Sequence, residues 1–223
     1  MNARTEDLIG KSLLLLSFGW VLLGKIRGLM GLLSLPERPD GLIVDLINQS
    51  LSLLFVAMVI SLTIRRLPPR TSASGWEPRA VAIAGTFTLI LLLWVPSGTP
   101  GSLVLSIANL LMIIGVAGSL WSLHFLGRSF AVMAAARELV TGGPYGLVRH
   151  PLYLFEGLVT VGIILAHWNP WAVLVGAVHF FFQFRRMQHE ERVLRAAFPD
   201  YDGYAARVPM IVPRVRLAAS AAA

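Results

Sequence analysis

Six apolar stretches constrain this chain more than any other feature. They cover residues 8–35, 42–64, 80–95, 102–123, 152–166 and 171–184. A helix needs about 20 apolar residues to cross a bilayer. The third stretch is therefore marginal, and the fifth and sixth are short enough to form a hairpin that does not fully cross. Overall, 56% of residues are hydrophobic and only 14% charged, which excludes a soluble domain of ordinary composition. The expectation is an all-α integral membrane bundle of about six apolar helices. The last two form a short hairpin around His167-Trp168-Asn169-Pro170, and a charged cytosolic helix follows Arg185.

Charge sets the orientation. The net charge of +7 is carried mainly by arginine, with only Lys11 and Lys25 as lysines. The arginines lie in the Pro-rich loop after the second stretch, in the segment after the fourth (Arg128, Arg137, Arg149) and after Arg185. The turn at 36–41 holds only Glu37, Arg38 and Asp40, and the turn at 96–101 is uncharged. By the positive-inside rule both termini and the 127–149 segment are expected to be cytoplasmic. A bacterial inner membrane is the expected location. The basic excess reads as topology, so no nucleic-acid partner is expected. Asn2, Arg4, Glu6 and Asp7 open the chain, and no small-residue cleavage site follows the first apolar run. A retained helix is expected there in place of a signal peptide. The absence of cysteine excludes disulfides, a thiolate nucleophile, a Cys-based metal site and prenylation of this chain.

Chemistry concentrates near one membrane face. In Arg149-His150-Pro151, proline fits the first turn of a helix, where its missing N–H costs nothing. His150 then stands beside unpaired backbone N–H groups and the positive end of the helix dipole. His150, Tyr153 and Gly157 share a helix face, offering an imidazole, a phenol and a gap for a ligand. Interfacial anchoring explains the same residues equally well. Glu190 and Glu191 diverge by about 100° on a helix. Glu191 stands four residues before Arg195, a favourable surface pair, so Glu190 is expected inward with Arg186 beside it. A solvated acidic face is the alternative.

Asp45, Asn48 and Gln49 are polar at i, i+3, i+4 within the second span, where interhelical hydrogen bonding is favoured over substrate binding. Glu156 lies in a wet cavity or pairs, with Arg149 as candidate partner. His124, His167 and His179 read as packing or interface residues. No second ligand stands at metal spacing from His189, so no metal is expected. No Gly-rich fingerprint announces a Rossmann-type site.

The ordered series Leu139-Val140-Thr141-Gly142-Gly143-Pro144-Tyr145, Arg149-His150-Pro151-Leu152-Tyr153, Asn169-Pro170, Glu190-Glu191, Phe198-Pro199-Asp200-Tyr201, Tyr204 and Arg207-Val208-Pro209 resembles the catalytic half of the isoprenylcysteine carboxyl methyltransferase family, related to phospholipid N-methyltransferases. The resemblance spans residues 137–213. It implies S-adenosylmethionine as cofactor, held at the cytosolic membrane face. Carried over by position, Arg137, Glu138, Leu139 and Val140 line the adenosine side, while Tyr145, His150 and Tyr153 enclose the methionine and ribose. Pro151 and Leu152 shape the wall, Glu190 holds the amino group, and Arg186 meets an anionic acceptor. Arg137-Glu138 is more charged than the family's usual segment. The implied organisation is a substrate-side region at 1–126, a catalytic region at 127–216 and a disordered tail at 217–223.

The implied partners are membrane lipids and a lipophilic or small apolar methyl acceptor. A carboxylate or thiolate acceptor needs no base, whereas an amine or hydroxyl would use Glu190 or His150. Two other readings stay open. A sterol-reductase-type, NADPH-dependent membrane reductase shares an Arg-His-Pro-like motif, although Gly142-Gly143-Pro144-Tyr145 stands where that group carries a Trp-rich stretch. A transporter or scaffold subunit would instead spread polar residues through the spans.

Overall fold

A computed structural model describes residues 3–213 apart from 38 and 40. Arg38 and Asp40 of the first turn, and the tail expected at 217–223, lie outside the described residues. The elements are α1 (Ala3–Leu33), α2 (Leu42–Arg65), β1 (Thr71–Ser72), α3 (Glu77–Phe87), α4 (Ser102–Leu126), β2 (Ala135–Ala136), α5 (Pro151–His167), α6 (Pro170–Ala197) and α7 (Tyr201–Arg207). The chain is an all-α membrane bundle. Among the described residues, four helical segments are long and apolar enough to cross a bilayer: Gly10–Leu33, Leu42–Arg65, Glu77–Trp94 and Ser102–Ser129. Large apolar side chains on them stay outside the protein core, Leu16 and Trp20 on α1 and Leu93 and Trp94 after α3 among them. Lipid is the solvent that tolerates that surface.

Three boundaries differ from the sequence expectation. The third span starts at Glu77 and finishes as the 3₁₀ helix Thr88–Trp94. The tighter helix rises about 2.0 Å per residue and lengthens a short span. The sixth apolar stretch and the charged helix after it are one continuous helix, α6. No glycine or proline interrupts 177–197, so polarity changes along α6 without breaking it. The third difference is a two-residue ribbon, with Thr71 paired to Ala136 and Ser72 to Ala135.

Helix ends are set locally. Pro151 and Pro170 begin α5 and α6, and the Asn169 side chain accepts from the Trp171 N–H at 2.8 Å. Asn169 Nδ2 also donates to Pro96 O at 2.9 Å, and Gly98 N to His167 O at 2.7 Å. These bonds tie the 96–101 turn to the α5–α6 turn at one end of the bundle. At the other end Leu67 N donates to Arg128 O, and the ribbon joins the loop after α2 to the segment after α4. The three Arg-rich segments thus gather together, away from the uncharged turns.

A close backbone approach joins α4 and α5. A Cβ on Gly162 would stand 2.7 Å from Ala108 O, and one on Gly115 2.7 Å from Phe155 O. Small residues allow such contact where helix association depends on packing. Gly162→Ala should therefore destabilise the bundle by about 1–3 kcal/mol. Gly24→Ala, where an added Cβ meets open space, should be neutral or slightly stabilising. Thermal unfolding of both variants in detergent checks the contrast.

Candidate active site

A cavity of about 760 Å³ opens among α1, α2, α4, α5 and α6. Its rim near the Arg-rich end is polar. Arg137, Glu138, Leu139, Val140, Tyr145, His150, Leu152, Tyr153, Arg186 and Glu190 all line it. Pro151 does not: it is fully buried as the first residue of α5, so Leu152 forms that part of the wall without it. Gly157 does not offer the expected gap, because a Cβ there would meet the Phe180 ring at 3.3 Å.

Helical spacing explains which side chains converge. On α6, His179, Gln183, Arg186 and Glu190 recur at i, i+4, i+7 and i+11 and line the cavity. On α5, Tyr153, Glu156 and Thr160 do the same at i, i+3 and i+7. The α6 stripe was present in the sequence as polar residues at helical spacing, partly within an apolar run. Reading His179 as packing and passing over Gln183 concealed it.

A hydrogen-bonded chain links the two helices. Gln183 Nε2 donates to Glu156 Oε2 at 2.9 Å, and Gln183 Oε1 accepts from Arg186 at 2.9 Å. A second Arg186 nitrogen donates to Val132 O at 3.0 Å, and the guanidinium lies 5.2 Å from the centre of the Tyr153 ring. Tyr153 donates its phenolic proton to Glu190. Glu156 thus takes Gln183 as its partner, where Arg149 was the candidate.

Arg149 is occupied elsewhere. Its guanidinium pairs with Glu191 at 2.7 Å and donates to Ala205 O at 2.8 Å and Val208 O at 2.7 Å. Glu191 also pairs with Arg195 at 3.0 Å, as the spacing suggested, but it is buried and not on an outer face. It reaches inward because His150 Nε2 lies 3.1 Å from the same carboxylate. Glu190 faces the cavity, as expected, whereas Glu191, expected outside, anchors the loop that carries His150.

The tautomer of His150 follows from its partner. An ionised carboxylate only accepts, so Nε2 carries the hydrogen toward Glu191. Nδ1 is then directed toward Glu190, 3.9 Å away. The backbone of 149–150 is fixed as well, with Arg149 N donating to Pro209 O at 2.8 Å and His150 N to Met210 O at 3.0 Å. Tyr204 donates to Tyr145 O at 2.6 Å. Burial, reinforced by Glu191, pushes the Tyr204 phenol up to about 12, so it remains a donor at neutral pH.

Burial alone would raise the Glu191 carboxyl. Hydrogen bonds from His150 and Arg149 outweigh that and hold it at about 2. A carboxyl depressed below its unfolded value of about 4.3 stabilises the fold above that pH and loses this contribution as pH falls toward 2. Unfolding followed between pH 6 and pH 2 should therefore show a falling stability below about pH 4.5. Glu191→Gln should flatten that decline.

Residues 103–201 match the phospholipid methyltransferase family. That family belongs to the same membrane methyltransferase superfamily as the isoprenylcysteine carboxyl methyltransferases, in agreement with the resemblance read from residues 137–213. The matched segment runs from the start of α4 to Tyr201 and includes every α5 and α6 residue described above. The chain is also 33% identical over 117 residues to the nickel-cobalt-cadmium resistance protein NccN of Alcaligenes xylosoxydans xylosoxydans, covering 51% of this chain and 52% of that protein. It is 34% identical over 139 residues to the cobalt-zinc-cadmium resistance protein CzcN of Cupriavidus metallidurans, covering 59% and 61%. The chain thus spans about half to three fifths of the length of these curated relatives.

Proposed function

We propose that this chain is an S-adenosylmethionine-dependent methyltransferase whose acceptor is lipophilic and enters from the bilayer, with the active site on the cytoplasmic face of a bacterial inner membrane. One observation carries this reading. A single cavity joins the polar rim at 137–153 to a space among membrane helices. The volume falls in the range of about 300–1,000 Å³ usual for small-molecule sites. The residues suit the cofactor: Glu190 offers a carboxylate for an ammonium group, Tyr145 and Tyr153 offer aromatic faces for a sulfonium, and the 137–140 backbone borders the rim.

When bound, S-adenosylmethionine supplies an electrophilic methyl group. This chain's residues supply position and a dry surrounding, which can account for most of an in-line transfer. Glu190 orients one end of the ligand and is itself oriented by Tyr153. Arg186 is held by Val132 and Gln183, and among the described residues its buried Nε has no hydrogen-bond partner, which leaves a donor for an anionic acceptor. For an amine or hydroxyl acceptor, His150 Nδ1 takes the proton, and Glu191 stabilises the charged ring through Nε2.

The metal-resistance names of the two relatives raise a metal-binding reading. Among the described residues no group of three or more His, Cys, Asp or Glu side chains gathers as a metal site.

Calorimetric titration of purified protein with S-adenosylmethionine tests the assignment, followed by methyl transfer to acceptors of increasing tail length. Saturable binding and turnover that rises with tail length are expected. Failure to bind the cofactor would overturn the methyltransferase reading. Transfer only to short, water-soluble acceptors would overturn entry from the bilayer alone. Orientation is checked separately by single-cysteine labelling in this cysteine-free chain. Pro68 and Arg137 should react from the cytoplasmic side and Gly98 from the other.

A further inference from the structure

The cavity does not end in hydrocarbon. Its far end is lined by Lys25 of α1, Asp45, Asn48, Gln49 and Ser52 of α2, and Asn109 of α4. Two interhelical bonds hold them together: Asn48 Nδ2 donates to Asn109 Oδ1 at 3.1 Å, and Gln49 Nε2 to Lys25 O at 2.8 Å. These bonds match the structural role expected of Asn48 and Gln49, but they consume only part of the group's capacity. Each amide has two donor hydrogens and an accepting oxygen. Among the described residues no carboxylate pairs with the Lys25 ammonium.

Depth makes this unusual. Val59 belongs to the apolar cluster on which Leu152 packs, at the level of the active site. From Val59 to Asn48 is eleven residues of α2, about 16 Å of helix rise. A plain alkyl tail reaching that depth would press methyl groups against amides and an ammonium, and desolvating such groups without partners is costly. Interhelical bonding alone would not require an ammonium to line a cavity among membrane helices.

We infer that this far cluster is a second recognition site, for an oxygen function at the distal end of the acceptor. The substrate class is a two-headed amphiphile: a reactive head at Glu190 and Arg186, an apolar middle, and a hydroxyl, carbonyl or carboxylate at the tail. Lys25 and the Asn109 amide donate to that oxygen, while the Asn48 and Gln49 oxygens accept from a hydroxyl. The inference rests on the bilayer-entry reading above, but its binding test needs no methyl transfer.

The test compares two probes on the purified full chain, an α,ω-diol and the n-alcohol of equal length, with chains spanning about 16 Å. Tryptophan fluorescence or native mass spectrometry reads the affinity of each. The diol should bind wild-type protein about tenfold more tightly than the alcohol, the worth of one or two well-placed hydrogen bonds. Asn109→Leu and Lys25→Met should each reduce that preference. Equal binding of the two probes to wild-type protein would overturn the inference even if neither variant folds. So would a preference that survives in both variants. Absence of S-adenosylmethionine binding would count against the proposed reaction while leaving a diol preference intact.

Discussion

Glu191→Gln should cost the fold about 3–5 kcal/mol, the largest effect of any single change at this site. The carboxylate is buried and answers Arg149, His150 and Arg195 together. Removing its charge strands Arg149 and His150, the two buried partners, where water does not replace the carboxylate. Arg149 also holds the carbonyls of Ala205 and Val208, so the loss spreads to the end of α7 and the residue after it. Thermal unfolding in detergent measures it directly. A change within about 0.5 kcal/mol, ordinary for a surface residue, would show that Glu191 is not the anchor described.

Glu190→Gln should act in the opposite way. Its carboxylate faces the cavity and takes its protein hydrogen bond from the Tyr153 hydroxyl. Glutamine can keep that bond through its carbonyl, so unfolding should change little. Cofactor affinity should fall by about 1.5–3 kcal/mol, roughly 10–150-fold, because a charge-assisted bond becomes a neutral one. The two variants thus separate stability from binding. Equal effects on both measurements would mean that the adjacent acids share one role.

Much of this was legible beforehand. Apolar run length placed α1, α2 and α4 within a few residues, because burial in lipid leaves little choice of element. The motif at 149–153 placed His150 at the mouth of α5, because Pro151 fits only there. What escaped was partner choice. The spacing of Glu191 and Arg195 predicts their pair, and the pair forms, but spacing on one helix says nothing of Arg149 and His150 arriving from 42 and 41 residues away. Glu156 shows the same limit, since its partner Gln183 sits on the neighbouring helix. The ribbon at 71–72 and 135–136 was invisible because two residues carry no periodicity.

The bonds that fix Arg149 and His150 come from carbonyls at 205–210. Those residues leave the ribosome after α1 to α6 have been made. The helices can insert and pack while the His150 loop still lacks its final restraints. Competence is therefore a late event in the biosynthesis of this chain, and a nascent protein paused within α6 holds a cavity without a finished rim.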